Sequence, residues 1–249
     1  MENDELLRRA EDLARRSGKN GEITHSLFLT PAEQARIKKW AQSGAEGRVL
    51  FHGGREQTER RAAFFLPYWM DEEDFDPSDY IRCVEAVSGF GEPGHRDYLG
   101  AALGLGLDRQ WLGDIWINGG TAYIFCLPSV EGHLLSSLDK VGRFGVKVRS
   151  VSLGEAPAPE VRRRRVSFTV KSPRLDAAAA GLFSLSRTEC ARLIAAGDVS
   201  LNYEPCLRPD AAVKEGDVLS LRGHGKGEIS AFGGLSRKGR MFLECEKYV

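Results

Sequence analysis

Ser186, Arg187, Thr188 and Glu189 are the residues whose types and spacing suggest binding chemistry most directly. A Ser followed three positions later by a Glu predicts a capping box, in which the hydroxyl and the carboxylate satisfy free amide donors of a first helical turn. The amides and the positive dipole end of such a helix attract anions, and Arg187 adds a charge beside them. This segment therefore predicts an anion site at a helix start.

Two short helices and a small sheet are predicted to position this site. Apolar residues at a helical period run from Cys190 to Ile194, and Gly197 can end that helix in a left-handed conformation. A second helix is predicted from Leu175 to Leu182, with Arg174 at its entry. Alternating apolar residues after the helix that contains Cys190–Ile194 predict two strands, Val199–Leu201 and Val218–Arg222.

These segments resemble the S-four domain, the RNA-binding domain named after small-subunit ribosomal protein four. The resemblance lies in an ordered set of short signals, from Arg174-Leu175-Asp176 to Val213-Lys214-Glu215-Gly216-Asp217. The family places basic residues around its second helix and the following strand on RNA. The resemblance implies RNA contacts by the corresponding residues here: Arg174, Ser186, Arg187, Thr188 and Arg192.

Further RNA contacts are expected at polar, basic or aromatic residues outside the two helices: Asn202, Tyr203, Lys214, Arg222, Arg164, Arg165 and Arg96. The S-four family usually has a tight Asn-Gly turn where this chain has Asn202-Tyr203-Glu204-Pro205, so a turn of different shape is expected. Tyr203 either stacks on a base or packs on Pro205. The run Arg162–Arg165 is either a solvated linker or a source of phosphate contacts.

The charge of the chain is divided unevenly, although its formal net charge is +0. Residues 1–159 contain 19 Lys and Arg against 24 Asp and Glu, a net charge of −5, whereas residues 160–249 contain 16 against 11, a net charge of +5. Such asymmetry is typical of nucleic-acid contact. The positive part is the one that contains the S-four-like segment.

The five cysteines are odd in number and scattered, which argues against a disulfide framework or a structural zinc site. Residues 1–16 lack the apolar core of a signal peptide, and the apolar run Ala62–Met70 is too short to cross a bilayer. We therefore expect a cytoplasmic protein with no membrane partner, no metal and no cofactor.

An α+β fold of three domains is predicted. Residues 1–75 suggest a small N-terminal α/β region, with a helix opened by Thr30-Pro31 and an acidic boundary at Asp71–Asp79. Residues 76–155 show a β-α-β-β-α-β succession with a hairpin turn at Asn118-Gly119-Gly120, which is the ferredoxin-like plan. Its second helix is predicted from Val130 to Val141. Residues 162–249 form the S-four-type domain.

The middle block carries a second resemblance, to bacterial YlmH-type RNA-binding proteins. The segments that carry it are His95-Arg96-Asp97-Tyr98-Leu99-Gly100, Leu103–Arg109, Leu112-Gly113-Asp114-Ile115 and Ser236-Arg237-Lys238-Gly239-Arg240. That family joins an N-terminal region and a ferredoxin-like domain to an S-four domain. It implies binding to ribosomal RNA of the large subunit and to tRNA, a role in ribosome-associated quality control of stalled nascent chains, and a link to cell-division proteins.

Two alternatives to a noncatalytic RNA-binding protein remain at this point. The segment Arg96–Gly100 loosely imitates the catalytic Arg-Leu-Asp of pseudouridine synthases, with Asp97 as the candidate acid, so an RNA-modifying enzyme using the middle domain is one alternative. Asp97 stabilising its own helix start is the preferred interpretation. An adaptor protein in cell division is the other alternative. We find no catalytic constellation in the sequence.

Overall fold

The computed structural model describes residues 2–44, 48–159 and 163–248. The chain divides into two compact units, Met1–Pro159 and Glu160–Val249, here called unit 1 and unit 2. The division follows Pro159, at the Pro-containing stretch where the net charge changes sign. Helices and strands both occur in each unit, which confirms the α+β fold class.

The N-terminal part of unit 1 packs two helices on a small antiparallel sheet of order β1-β3-β2. Its elements are α1 (Glu2–Asn20), β1 (Thr24–His25), α2 (Pro31–Gln42), β2 (Arg48–His52) and β3 (Ala62–Leu66). The predicted start of α2 is confirmed, since the Thr30 hydroxyl accepts from the Glu33 amide and the Glu33 carboxylate accepts from the Thr30 amide at 2.6 Å. Both partners of a capping box are therefore present.

The middle part of unit 1 has the predicted β-α-β-β-α-β succession. Its elements are β4 (Arg82–Ser88), α3 (His95–Gly104), β5 (Leu112–Asn118), β6 (Thr121–Cys126), α4 (Pro128–Ser137), β7 (Lys140–Val141) and β8 (Phe144–Val151), with the sheet order β5-β6-β4-β8-β7. The prediction that the second helix runs to Val141 is wrong. Val141 is buried in a short strand that pairs with Phe144, so burial of an apolar residue outweighs helix continuation.

One hydrophobic core joins the two parts of unit 1. Phe28 and Phe64 from the first 75 residues pack with Trp116 and Phe125 from the middle sheet, and all four side chains are buried. Phe75 belongs to the same core, although the acidic residues around it are exposed. A domain boundary at residue 75 therefore stays a prediction.

Unit 2 packs two helices on a six-stranded antiparallel sheet of order β11-β10-β12-β13-β14-β9. Its elements are β9 (Arg163–Val170), α5 (Leu175–Phe183), α6 (Arg187–Ala195), β10 (Val199–Leu201), β11 (Glu204–Pro205), β12 (Val218–Leu221), β13 (Gly225–Leu235) and β14 (Met241–Tyr248). The two predicted helices and the strands β10 and β12 are confirmed. Gly197 follows the end of α6 and has a φ of +83°, which is the left-handed conformation expected there.

Helix α5 lies very close to the sheet because Gly181 has no side chain. A Cβ atom placed there would come within 2.2 Å of the Phe168 ring of β9. Leu175, Leu182 and Cys190 are fully or almost fully buried in the core between the helices and the sheet. This packing fixes the starts of α5 and α6, which carry the predicted anion site. Within the described ranges, no helix combines the length and apolar character needed to span a bilayer.

The arginine run belongs to a strand rather than to a linker. Arg163–Arg165 begin β9, which pairs along its whole length with β14, whereas Arg162 lies outside the described residues. Arg163 forms ion pairs with Glu246 at 3.2 Å and with Glu228 at 3.8 Å, and Arg165 pairs with Glu244. Cross-strand charge pairs of this kind stabilise the sheet.

Candidate RNA-binding surface

The start of helix α6 is capped as predicted, but only from one side. The Ser186 hydroxyl accepts a hydrogen bond from the Glu189 amide at 3.1 Å. The second hydrogen bond expected in the capping box, from the Ser186 amide to the Glu189 carboxylate, is wrong. This carboxylate instead accepts from the Arg192 guanidinium at 2.7 Å. Helix α6 therefore begins where the sequence predicted, and Glu189 lowers the net charge of the surface beside Arg192.

A buried carboxylate orients two arginines at the entrances of α5 and α6. The side chain of Asp176 is 8% exposed, and it accepts from Arg174 Nε at 3.2 Å and from Arg187 Nη2 at 2.7 Å. The side chains of Arg174 and Arg187 remain 41% and 55% exposed. Two positive charges thus share one negative charge and have solvent-facing surface, which suits the binding of phosphate oxygens. We call these three residues the Asp176 cluster.

Asp176 is part of the segment Arg174-Leu175-Asp176 that resembles the S-four domain, but the sequence does not predict it as a site residue. The spacing of this segment indicates only that the acid lies in the first turn of a helix. The sequence alone does not show that Arg187, eleven positions later, reaches the same carboxylate. This cluster is the main arrangement that sequence reasoning missed.

Asn202 and Lys214 are linked to the turn that precedes β12. The Asn202 amide donates to Asp217 Oδ1 at 2.9 Å, and its Oδ1 accepts from the Val218 amide at 3.0 Å. The backbone amide of Lys214 donates to Asp217 Oδ2 at 2.8 Å. Asn202 is therefore used in holding the turn together, while the exposed Lys214 presents its ammonium group to solvent. RNA contacts by both residues stay predictions.

The turn at Asn202-Tyr203 has the shape that an Asn-Gly pair would give, so the expected difference in shape is wrong. Leu201 pairs with Glu204, which leaves a two-residue hairpin loop, and both loop residues have positive φ, 52° and 69°. This is the left-handed geometry of the tight hairpin turns that Asn-Gly favours. Tyr203 adopts it at a steric cost that glycine would not have.

Several predicted residues share the surface around α6. Ser186, Arg187 and Thr188 are all exposed in its first turn, and Arg192 follows one turn later with its side chain 65% exposed. Arg222 follows the C-terminal end of β12, and its backbone amide donates to the Asp198 carbonyl, just after α6, at 3.2 Å.

Comparison with known proteins finds similarity in the middle of the chain and over most of its length. A sequence profile described as "Putative RNA-binding domain in YlmH" matches residues 71–155. The "Ribosome-associated protein quality control protein P2" of Bacillus subtilis strain 168 is 29% identical over 220 residues, which cover 88% of this chain and 85% of that protein. Residues 71–155 are therefore similar to the RNA-binding domain of YlmH, and most of the chain is similar to the Bacillus subtilis protein.

A solved structure agrees at the level of fold. The structure titled "Cell division protein ylmH from Streptococcus pneumoniae" is 19% identical, with a TM-score of 0.50, and the likeness covers 64% of this chain and 96% of that one. The YlmH-type profile matches within unit 1, whereas the Asp176 cluster lies in unit 2. The profile match and the Asp176 cluster therefore lie in different units of the chain.

Within the matched residues 71–155, Arg96 is exposed in the first turn of α3, and its RNA contact stays a prediction. Asp97 accepts from the Gly94 amide at 2.8 Å, so it stabilises the helix start as preferred above. Burial and the charge of Arg109 lower the pKa of His95.

The remaining predicted arginines of β9 differ from each other. Arg165 is paired with Glu244, whereas Arg164 is exposed and has no ion pair within residues 163–248. Among the described residues, no group of three or more His, Cys, Asp or Glu side chains could hold a metal ion. All five cysteines are free thiols, and burial raises the pKa of Cys83 and Cys245 to about 12.

Proposed function

We propose that this protein is a noncatalytic RNA-binding protein that docks on ribosomal RNA of the large subunit and on bound tRNA, and acts in ribosome-associated quality control of stalled nascent chains. The observation that carries the proposal is the Asp176 cluster, where two exposed guanidinium groups are oriented at the entrances of two helices. The name of the Bacillus subtilis relative supports the ribosomal part of the proposal. Such a role places the protein in the cytoplasm.

Electrostatic docking is the proposed mechanism. The carboxylate of Asp176 restricts Arg174 and Arg187 before RNA arrives, so less side-chain entropy is lost when they meet phosphate. Ser186 and Thr188 add hydroxyl donors beside them, and Arg192 extends the positive surface along α6. Unit 1 contributes a second contact through its YlmH-type domain, with Arg96 as the candidate residue.

Cosedimentation of the full-length protein with purified large ribosomal subunits tests the proposal. We expect the double variant Arg187→Glu, Arg192→Glu to lose most of its binding, because four units of charge change on the docking surface. The matched control is Arg9→Glu, Arg15→Glu, which makes the same change at two exposed arginines of α1 that also pair with acids on their own helix. A folded double variant that cosediments like the unchanged protein would show that the proposed RNA surface is wrong.

A separate measurement addresses the RNA-modifying alternative. Nucleoside composition of ribosomal RNA and tRNA is compared in cells with and without the gene. We expect no difference, and a missing modified nucleoside would overturn the noncatalytic assignment.

A further inference from the structure

The connection between β13 and β14 is an ordered hairpin whose tip is basic. We call residues Gly233–Phe242 the C-terminal hairpin. The Ser236 amide donates to the Arg240 carbonyl at 2.7 Å, and the Gly239 amide donates to the Ser236 carbonyl at 2.8 Å. Gly239 has a φ of +68°, which allows the chain to reverse there. Arg237 and Lys238 are therefore held at the turn itself.

Positive charge in and around this hairpin has no acidic partner in sequence. From Ser230 to Leu243 the chain contains Arg237, Lys238 and Arg240 and not one Asp or Glu. The Arg240 guanidinium is used structurally, since it donates to the Thr169 carbonyl of β9 at 2.8 Å. Arg237 and Lys238 are exposed and have no ion pair among the described residues.

Two large apolar side chains are exposed next to these charges. Leu235 is 71% exposed and Phe242 is 41% exposed, although both belong to strands. The register of β13 and β14 is irregular between Phe232 and Leu235, which marks a bulge at Gly233 and Gly234. A Cβ atom on Gly233 would lie 3.0 Å from Phe242 Cβ, so the glycine leaves the aromatic side chain uncovered on that side.

The C-terminal hairpin lies at the same end of unit 2 as the Asp176 cluster. Arg240 donates to the carbonyl of Thr169, near the end of β9. This strand ends at Val170, four residues before Arg174. Next to the hairpin, the Phe232 amide donates to the Glu215 carboxylate at 2.8 Å, beside Lys214. The base of the hairpin therefore adjoins the entrance of α5, while Phe242, next to the core residue Leu243, faces the side of the sheet away from the helices.

We infer that the C-terminal hairpin is an additional RNA contact, in which Phe242 stacks on an unpaired base while Arg237 and Lys238 neutralise the flanking phosphates. Aromatic side chains interleaved with unpaired cations are the recognition chemistry for single-stranded nucleic acid. A lipid surface fits less well, because a hairpin that enters a membrane places apolar residues at its tip and basic residues behind them. Here the charged residues form the tip.

This inference rests on the proposed function, and two substitutions at one position test it in the full-length protein. Phe242→Leu keeps an apolar side chain of similar packing but removes the aromatic face, whereas Phe242→Trp keeps that face. We expect Phe242→Leu to weaken binding to purified large ribosomal subunits about tenfold, and Phe242→Trp to bind like the unchanged protein. Urea unfolding checks that both variants are folded.

A second pair of substitutions tests the charges. Arg237→Gln with Lys238→Gln should weaken binding to the same subunits and reduce its dependence on salt, because two phosphate contacts are removed. The inference would be overturned if Phe242→Leu, Phe242→Trp and the charge variant all bound the subunits as tightly as the unchanged protein. If Arg187→Glu, Arg192→Glu still abolished binding in that case, the proposed function would stand without the hairpin.

Vesicles of phosphatidylcholine with phosphatidylserine provide the remaining arm of the experiment. We expect no binding of the full-length protein to these vesicles at physiological salt. Vesicle binding that is lost in Phe242→Leu, with subunit binding unchanged, would assign the hairpin to a lipid surface and overturn the RNA contact.

Discussion

Unit 1 and unit 2 each contain an aspartate beside two arginines, and the two groups use their charges in opposite ways. In unit 1, Asp114 accepts from the backbone amides of Glu59 and Arg60, at 2.6 Å and 3.0 Å. In unit 2, Asp176 accepts from two guanidinium groups whose outer surfaces face solvent. The same residue types therefore form an internal brace in one unit and an oriented surface in the other.

The arginines of the unit 1 group are committed to carbonyl oxygens. Arg109 donates to the Leu112 and Gly113 carbonyls at 2.6 Å and 2.9 Å, and Arg60 donates to the Phe28 carbonyl at 2.9 Å. Burial and the neighbouring Arg60 charge lower the pKa of Arg109 to about 10. An arginine can bind a ligand only through N–H donors that face solvent. The two unit 2 arginines of the Asp176 cluster have such donors, whereas those of Arg60 and Arg109 are used within the fold.

The largest expected effect is a loss of stability on substitution of an arginine in unit 1. Arg109→Gln removes the donor of two backbone carbonyls in a half-buried site, so we expect unfolding free energy to fall by about 2–3 kcal/mol. Urea denaturation of the full-length protein measures this loss. Binding of the folded variant to large ribosomal subunits should be unchanged, and a specific loss of binding would show that Arg109 also faces a ligand.

The corresponding change in unit 2 should act on binding instead. For Arg187→Gln we expect about tenfold weaker binding to large ribosomal subunits, and a salt dependence reduced by about 0.7–0.9 in the logarithmic slope. Stability should change by less than about 1 kcal/mol, because the pair is solvent-exposed on one side. Arg163→Gln is the matched control, since Glu246 and Glu228 already neutralise Arg163. Equal slopes for the two variants would remove the distinction between paired and oriented arginines.

Tyr203 allows the comparison to be sharpened within unit 2. Replacement by Gly relieves a left-handed tyrosine, so we expect thermal unfolding to report a gain of about 1 kcal/mol. If Tyr203 stacks on a base, the same variant binds RNA more weakly despite its greater stability. Loss of stability instead would show that contacts of the Tyr203 ring outweigh the backbone strain.

His52 tests the internal use of polar groups in unit 1, with the smallest expected effect. Its Nδ1 accepts from the Gly54 amide at 3.0 Å, and burial followed by the Arg61 charge lowers the pKa of the ring below 6.5. The unfolded chain therefore binds the proton more strongly, and unfolding free energy decreases as pH falls through 6.5 towards the lower folded pKa. His52→Asn, whose amide oxygen can accept the same bond, should flatten this dependence. Titration of the imidazole by nuclear magnetic resonance checks the direction.

Much of the fold could be read from local signals. Thr30-Pro31, Ser186 and Gly197 mark helix ends because capping is satisfied within a few residues, and Asn118-Gly119 marks a hairpin for the same reason. Val141 was assigned to a helix wrongly, since its pairing with Phe144 depends on burial that a local period does not report. Asn202-Tyr203 was expected to form another kind of turn, but the strands on either side impose the tight one.

The sequence by itself determined the α+β class, the two helix starts, the charge asymmetry and the likeness to YlmH-type proteins, because these depend on residue order and neighbouring residues. Tertiary structure alone decided which cations remain available to a ligand. Arg163 and Arg165 became partners of glutamates on β14, whereas Arg187 met a carboxylate eleven positions away that it shares with Arg174. The physical reason is that a charge is available or neutralised according to its neighbours in space, which only the folded chain brings together.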